Sequence, residues 1–380
     1  MDLLPTPEQE EIVSTVRAQL DKQFELNALA AHDGDDQVVE RELWRRCAEL
    51  GWFGLGLEED LGGVGYSLVE EALLFAELGA HATPGPFLAT VLGARLAATA
   101  GEAELAAGIL GGDLVIALAE AETEATVGAT VSGRFRVTDH GGIDLFLVAG
   151  TDPAAGMAIV DAVPASAEPS LDLLVPLGVV ELDGVTARAS VAASADLALR
   201  ATVLLASELA GNAAATAAQS TEYAKDREQF GRPIGSFQAV KHRCADMAVR
   251  AEAATSLARY ASLAVADGRA DGAFHANAAW AVASNAALTN AHTNVQNHGG
   301  IGFTWEHTAH RFVTPRAVPG PHARRPQRPP GRTARRARPR LTPRSPACSV
   351  MPRTGFSRSP ASRCRREGRK EQCSVRRVMP

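Results

Sequence analysis

The five cysteines of this 380-residue chain include no C-x-x-C pair, so they supply neither a metal-type cysteine motif nor a disulfide framework. Cys47 and Cys244 fall on apolar helix faces and read as small core residues. No apolar run approaches the length of a membrane span. The start, Met1-Asp-Leu-Leu-Pro-Thr-Pro-Glu8, has neither a basic segment nor a signal-like apolar one, and a cytoplasmic location is expected. Carboxylates are missing from His307 through Arg366, and Phe356 is the only aromatic residue after Phe312. The helical H-E-x-x-H order of a zinc site is not met by Glu306-His307-Thr-Ala-His310, whose two histidines read as surface residues. Asn297-His298-Gly-Gly has no nucleophile paired with it.

What is present divides sharply. From Pro315 onward lie 19 of the 38 Lys+Arg but only 2 of the 44 Asp+Glu, a charge of +17, so residues 1–314 carry −23. Twelve of the 21 prolines also follow Thr314. Prolines so frequent forbid a helix, and too little apolar surface exists to offset the entropy of ordering, so disorder is expected there. Two origins are open: a shifted reading frame of a GC-rich gene, which yields Arg, Pro, Ala, Ser and Gly, or a basic arm for nucleic acid. A single Lys and a single Phe speak against the arm, so a nucleic-acid partner is not expected. Prolines at 315, 319 and 321 should also leave apolar surface exposed around Phe303 and Phe312.

The 380 residues suit two or three domains. Residues 1–112 read as helices. Thr6-Pro7-Glu8-Gln9 and Ser67-Leu-Val-Glu70 are capping boxes, the first with proline at the opening helical position. Leu43, Cys47 and Leu50 share a helix face that Gly51 stops. Residues 113–194 carry short β-rich runs at 114–118, 130–137, 145–149, 157–160 and 179–182, with Asp183-Gly184 as a hairpin signal. Residues 195–312 are helical again. Phe237, Val240, Cys244, Met247, Ala251, Ala254, Ala258, Ala261 and Val265 alternate by three and four, the seam of a long bundled helix. A further helix is expected from about Asp271 to Gln296.

Two stretches carry chemistry: Tyr223-Ala-Lys-Asp-Arg-Glu-Gln-Phe-Gly-Arg-Pro-Ile-Gly-Ser-Phe-Gln238 and Gln296-Asn-His-Gly-Gly-Ile-Gly-Phe-Thr-Trp-Glu306. A helix ending at Arg227, a Gly/Pro turn and a new helix at Gln238 present a guanidinium, a backbone loop and an amide together. Arginine suits a pyrophosphate because its planar fork donates two parallel hydrogen bonds. Taken singly, an Arg near a helix end is commonly a solvated charge and Gly-Gly a helix cap. Jointly, in order, type and separation, the residues resemble the signature of the acyl-CoA dehydrogenase family, over about residues 5–312.

That resemblance implies an α+β fold: an N-terminal helical domain (1–112), a small middle β-domain (113–194), a C-terminal helical bundle (195–312) and, here, a disordered Arg/Pro-rich tail (313–380). It implies FAD, with Arg227 and Gln238 holding the flavin of the neighbouring subunit and Gln296, Gly299 and Gly300 lying along its adenine end. It implies an acyl-CoA thioester as substrate, dehydrogenated across Cα–Cβ, and an electron-transfer acceptor.

The family's catalytic glutamate has two known locations. One is about seven helical turns before the Arg, where this chain has Ala201 between Leu197 and Leu205, with Glu208 the nearest carboxylate downstream. The other lies 25–30 residues after the Gln, where this chain reads Gly320-Pro-His-Ala-Arg-Arg-Pro326. No base is identified. The family's T-E-P-x-x-G-S-D-like flavin contact is replaced by Ala117-Leu-Ala-Glu-Ala-Glu-Thr123, with Glu120 a remnant. The chain therefore resembles the short, non-catalytic subunit of actinobacterial heterotetramers, which completes the flavin site of a homologous partner. A self-sufficient, self-associating dehydrogenase and a non-enzymatic scaffold or decayed product are the alternatives.

Overall fold

A computed structural model describes residues 3–24, 40–152, 156–170, 172 and 174–313, all within one unit, Met1–Pro326. The tail from residue 314, on which the readings of disorder and origin rest, lies outside the described residues.

Helix α1 (Pro7–Gln23) opens on the expected box: Thr6 Oγ1 accepts from Gln9 N, and Thr6 N donates to Gln9 Oε1 at 2.9 Å. Helix α2 (Arg41–Glu49) buries Trp44 and Cys47 and stops before Gly51, whose φ is 76°. Helix α3 (Leu68–Ala80) opens on the second box, with Ser67 N donating to Glu70 Oε2 at 2.9 Å. The two boxes are themselves joined, because Gln9 Nε2 donates to Glu70 Oε1 at 2.7 Å. Helices α4 (Phe87–Thr99) and α5 (Ala103–Leu110) complete the N-terminal group. Its centre is aromatic: the Trp44 ring lies 4.5 Å from Phe53 and 4.8 Å from Phe87. Such offset, tilted rings pack with favourable quadrupole geometry.

Seven strands follow: β1 (Ile116–Ala121), β2 (Thr130–Thr138), β3 (Leu145–Ala149), β4 (Met157–Asp161), β5 (Ser166–Glu168), β6 (Leu177–Thr186) and β7 (Ala189–Val191). Their order is β5-β6-β2-β1-β3-β4-β7, antiparallel except for the β1–β3 pair. The period of two splits the sheet's side chains. Ile116, Leu118, Leu147 and Ile159 join the helical core, while Ala117, Ala119, Phe146 and Val160 pack with Phe135 and Val137 as a second core. Asp183-Gly184 does not form a hairpin turn. It lies inside β6, where Gly184 adopts φ 62° and its N–H donates to Ser132 Oγ at 2.8 Å. The β2–β6 register shifts between Val131 and Gly133, so the turn-type dipeptide serves a bulge.

The C-terminal helices are α6 (Ala195–Asp226), α7 (Gln238–Ala266) and α8 (Gly272–His298). Along the α7 seam Met247, Ala251, Ala254, Ala258 and Ala261 are buried. Helix α3 meets α6 backbone to backbone: a Cβ on Gly79 would fall 1.8 Å from Glu208 O, and one on Gly211 1.8 Å from Ala76 O. Gly→Ala in a helix ordinarily stabilises by up to about 1 kcal/mol. Here Gly79→Ala and Gly211→Ala are each expected to destabilise instead, by roughly 1–3 kcal/mol or more, because the obstruction is backbone. A raised urea midpoint in either variant would contradict this close approach. Phe303 is 84% exposed, as expected, but Phe312 is only 4% exposed. The 3-10 turn Thr308–Phe312 folds it back against α8.

Candidate functional site

The end of α6 and the end of α8 border one groove, of about 340 Å³. Arg227 caps α6: its N–H donates to Tyr223 O at 2.9 Å, and its carbonyl accepts from Ile234 N at 2.7 Å, closing the turn before α7. Its guanidinium has no hydrogen bond or ion pair among the described residues. Gly299 and Gly300 border the same groove, and a Cβ on either would meet nothing within 4 Å. Bare backbone therefore faces open space beside an unpaired cation, which suits an extended phosphate-bearing ligand. The structure thus gathers Arg227, Gly299 and Gly300. Gln238, at the start of α7, and Gln296, near the end of α8, are both exposed and do not line the groove.

An asparagine stripe that sequence reading missed holds this end together. Asn290 Nδ2 donates to Ala213 O and Met247 O, each at 3.0 Å, so one amide ties α8 to α6 and α7. Asn297 Nδ2 donates to Ser220 Oγ at 2.7 Å. Asn290, Asn294 and Asn297 recur by four and three on an Ala-rich helix, a spacing that could have marked them as a buried polar face.

The histidines of this segment are not surface residues. His298 is 4% exposed. Its Nδ1–H donates to Asn294 O at 2.8 Å, which leaves Nε2 as the unprotonated nitrogen, buried and without a partner. The ring stacks on Tyr223 at 4.1 Å and packs at 4.4 Å against His307. His307 Nδ1 accepts from Ala309 N at 3.0 Å, and both ring nitrogens of His310 are buried without partners. Among the described residues no group of three or more His, Cys, Asp or Glu is placed to hold a metal ion.

Ala201 is buried, as are Leu197 and Leu205, so an apolar face occupies the expected base position. Glu208 borders a separate cavity of about 30 Å³ with Thr83, Asn212 and Arg311, space for a water or two and not for a thioester. The second family location, 320–326, lies outside the described residues. Glu120 is half-buried on the helix-facing side of β1, opposite Arg136. Burial pushes its carboxyl up to about 8, against the attraction of Arg136. Arg136 spends its hydrogen bond on Glu122, at 2.6 Å.

The N-terminal domain of acyl-CoA dehydrogenases matches residues 6–112 and the C-terminal domain matches residues 195–316. The acyl-CoA dehydrogenase IpdE2 of Mycobacterium tuberculosis is 32% identical over 317 residues, covering 82% of this chain and 91% of that protein. This chain belongs to the acyl-CoA dehydrogenase family. The family is one of FAD-dependent oxidoreductases, and the order of helices, sheet and helices is its fold. Among solved structures, a variant of the steroid ACAD Tcur3481-Tcur3483 superposes with a TM-score of 0.71 at 28% identity, covering 80% of this chain and 91% of that one. The ChsE4-ChsE5 complex from Mycobacterium tuberculosis superposes with a TM-score of 0.71 at 27% identity, covering 82% and 92%. The residues at the groove fit the phosphate-bearing part of FAD: a free guanidinium beside two glycines whose Cβ positions are open.

Proposed function

We propose that this chain is the subunit of a heteromeric, FAD-dependent acyl-CoA dehydrogenase that completes the flavin site of a homologous partner without supplying the catalytic glutamate. The observation that carries the reading is an asymmetry. The groove at Arg227, Gly299 and Gly300 is formed and open, whereas the base position is Ala201, buried among leucines. In this reading Arg227 pairs with the pyrophosphate, the Gly299-Gly300 backbone approaches the adenine end, and Gln238 and Gln296 contact the flavin once the partner is in place. The bound flavin supplies the electron sink of the reaction, and this chain's residues bind and orient it. Exposed apolar side chains on α7 and α8, Val249, Phe274 and Leu288 at 69%, 71% and 47%, support such a partner. The steroid ACAD and the two-component complex among the similar structures favour a bulky acyl-CoA and a two-subunit assembly. Reduced flavin would pass its electrons to a separate acceptor.

The chain purified alone is expected to be colourless and inactive toward acyl-CoA with an artificial electron acceptor. Co-expression with a homologous, glutamate-bearing subunit should yield bound flavin and turnover. Robust turnover by the chain alone would favour a self-sufficient enzyme instead, with Glu208 the first residue to replace.

A further inference from the structure

We propose that the imidazoles of His298 and His307, packed against one another at a tilt, form an acid-sensitive latch on the segment Gly299–Trp305: with both rings neutral the segment is held beside Tyr223, and entry of a proton releases it. The latch rests on the geometry of one ring. His298 already commits Nδ1–H to Asn294 O at 2.8 Å, so a proton can enter only at Nε2, which is buried and faces no acceptor. A charged ring there would be packed against Tyr223, at 4.1 Å, and against a second imidazole, at 4.4 Å. His307 is tied in its turn, because its Nδ1 accepts from Ala309 N at 3.0 Å; a second proton can enter only at Nδ1, which charges the ring and breaks that bond.

The charged groups around the pair favour neutrality. Helix α6 contributes Arg227, which borders the same groove, and Glu222, which is engaged by Lys225 at 2.6 Å. Helix α7 contributes Arg243, which reaches Asn297 Oδ1 at 3.5 Å. The following segment contributes His310 and the exposed Glu306, and no ion pair among the described residues joins a carboxylate to either ring. Burial holds His298 below the ordinary histidine range, and burial followed by the proximity of His298 and His310 does the same to His307. The sign follows from linkage. The closed segment binds fewer protons than the open one, so closure is intact above the ordinary histidine value of about 6.5 and weakens as pH falls below it, by up to about tenfold per pH unit for each ring. Gly299 and Gly300 are the first residues of the released segment. A ligand held there, as in the function proposed above, would lose that wall of its site in acid.

Hydrogen exchange of the peptide spanning 296–306 in the full chain, divided by the intrinsic rate at each pH, tests the latch. Between pH 8 and 6.5 protection should be level, and below 6.5 it should fall by up to about tenfold per unit. His298→Phe and His307→Phe, which keep an aromatic ring in the stack, should each flatten that slope. Should a variant fail to fold, the ring C–H resonances of the wild-type histidines give the same answer, with midpoints below about 6.5. Level protection down to pH 5, the same slope in both folded variants, or midpoints at or above 6.5 would overturn the proposal. Failure of FAD to bind at any pH, with acid opening intact, would count against the proposed function and leave the latch standing.

Discussion

Arg227→Ala is expected to strip FAD from the assembled enzyme, with affinity falling on the order of a hundredfold. The reason lies in how little holds this side chain in the isolated subunit. The backbone of Arg227 is fixed by its bonds to Tyr223 and Ile234, so the guanidinium is presented from a rigid turn. Its fork has no partner among the described residues, so truncation removes no internal contact and the fold should survive. Arg227→Lys should recover little, because an ammonium keeps the charge but not the paired donors. The measurement is flavin absorbance per subunit after gel filtration of the co-expressed complex, with the melting curve of the variant as the control for folding. Unchanged flavin content in the alanine variant would remove Arg227 from the cofactor site and, with it, the main support for the proposed role of the subunit.

The largest loss of stability is expected from Glu71→Ala. Glu71 has a side chain 1% exposed and forms an ion pair with Arg200 of α6, itself 15% exposed. It also accepts from Gly56 N at 3.2 Å. Arg95 stands alongside, bonded to the Gly56 carbonyl and to Glu58 at 3.2 Å. Burial and the nearby Arg95 already hold Arg200 below the ordinary arginine range, with Glu71 opposing them. Removing the carboxylate leaves two guanidinium groups close together with one carboxylate, a change that costs about 3–5 kcal/mol in buried pairs. A melting temperature lower by on the order of 10 °C should follow. The pair as a whole is worth much less than its breakage suggests, so replacing both members, as in Glu71→Leu with Arg200→Met, should recover most of the loss. Equal destabilisation by the single and double replacements would mean that packing around Glu71, not the uncompensated charge, sets the cost.

These two sites differ in how they could be read beforehand. The place of Arg227 was legible because it is fixed by neighbours in sequence: the helix before it, the Gly/Pro turn after it and Gln238 at the next helix start. Arg200 was not, because its partner lies 129 residues away and neither residue belongs to a local pattern. The histidines show the same division. The spacing of His307 and His310 points to surface residues, yet both are half-buried: His307 packs on His298 at 4.4 Å and His310 against Trp305 at 4.9 Å.

The sequence by itself determined the helices and most strands, the two capping boxes, the stop at Gly51, the alanine seam of α7 and the helix–turn–helix order around Arg227. Each depends on periodicity or on hydrogen bonds that close within a few residues. Only the tertiary structure decided that the first box is bonded to the second through Gln9 and Glu70, that Asp183-Gly184 sits in a bulge and not a turn, and that Arg227 shares a groove with Gly299 and Gly300 but not with Gln238 or Gln296. The physical reason is common to all three. A local signal says what the backbone can do at one place, whereas a partner is chosen by which helices and strands meet on packing, and small residues such as Gly79 and Gly211 between α3 and α6 set how closely they do so.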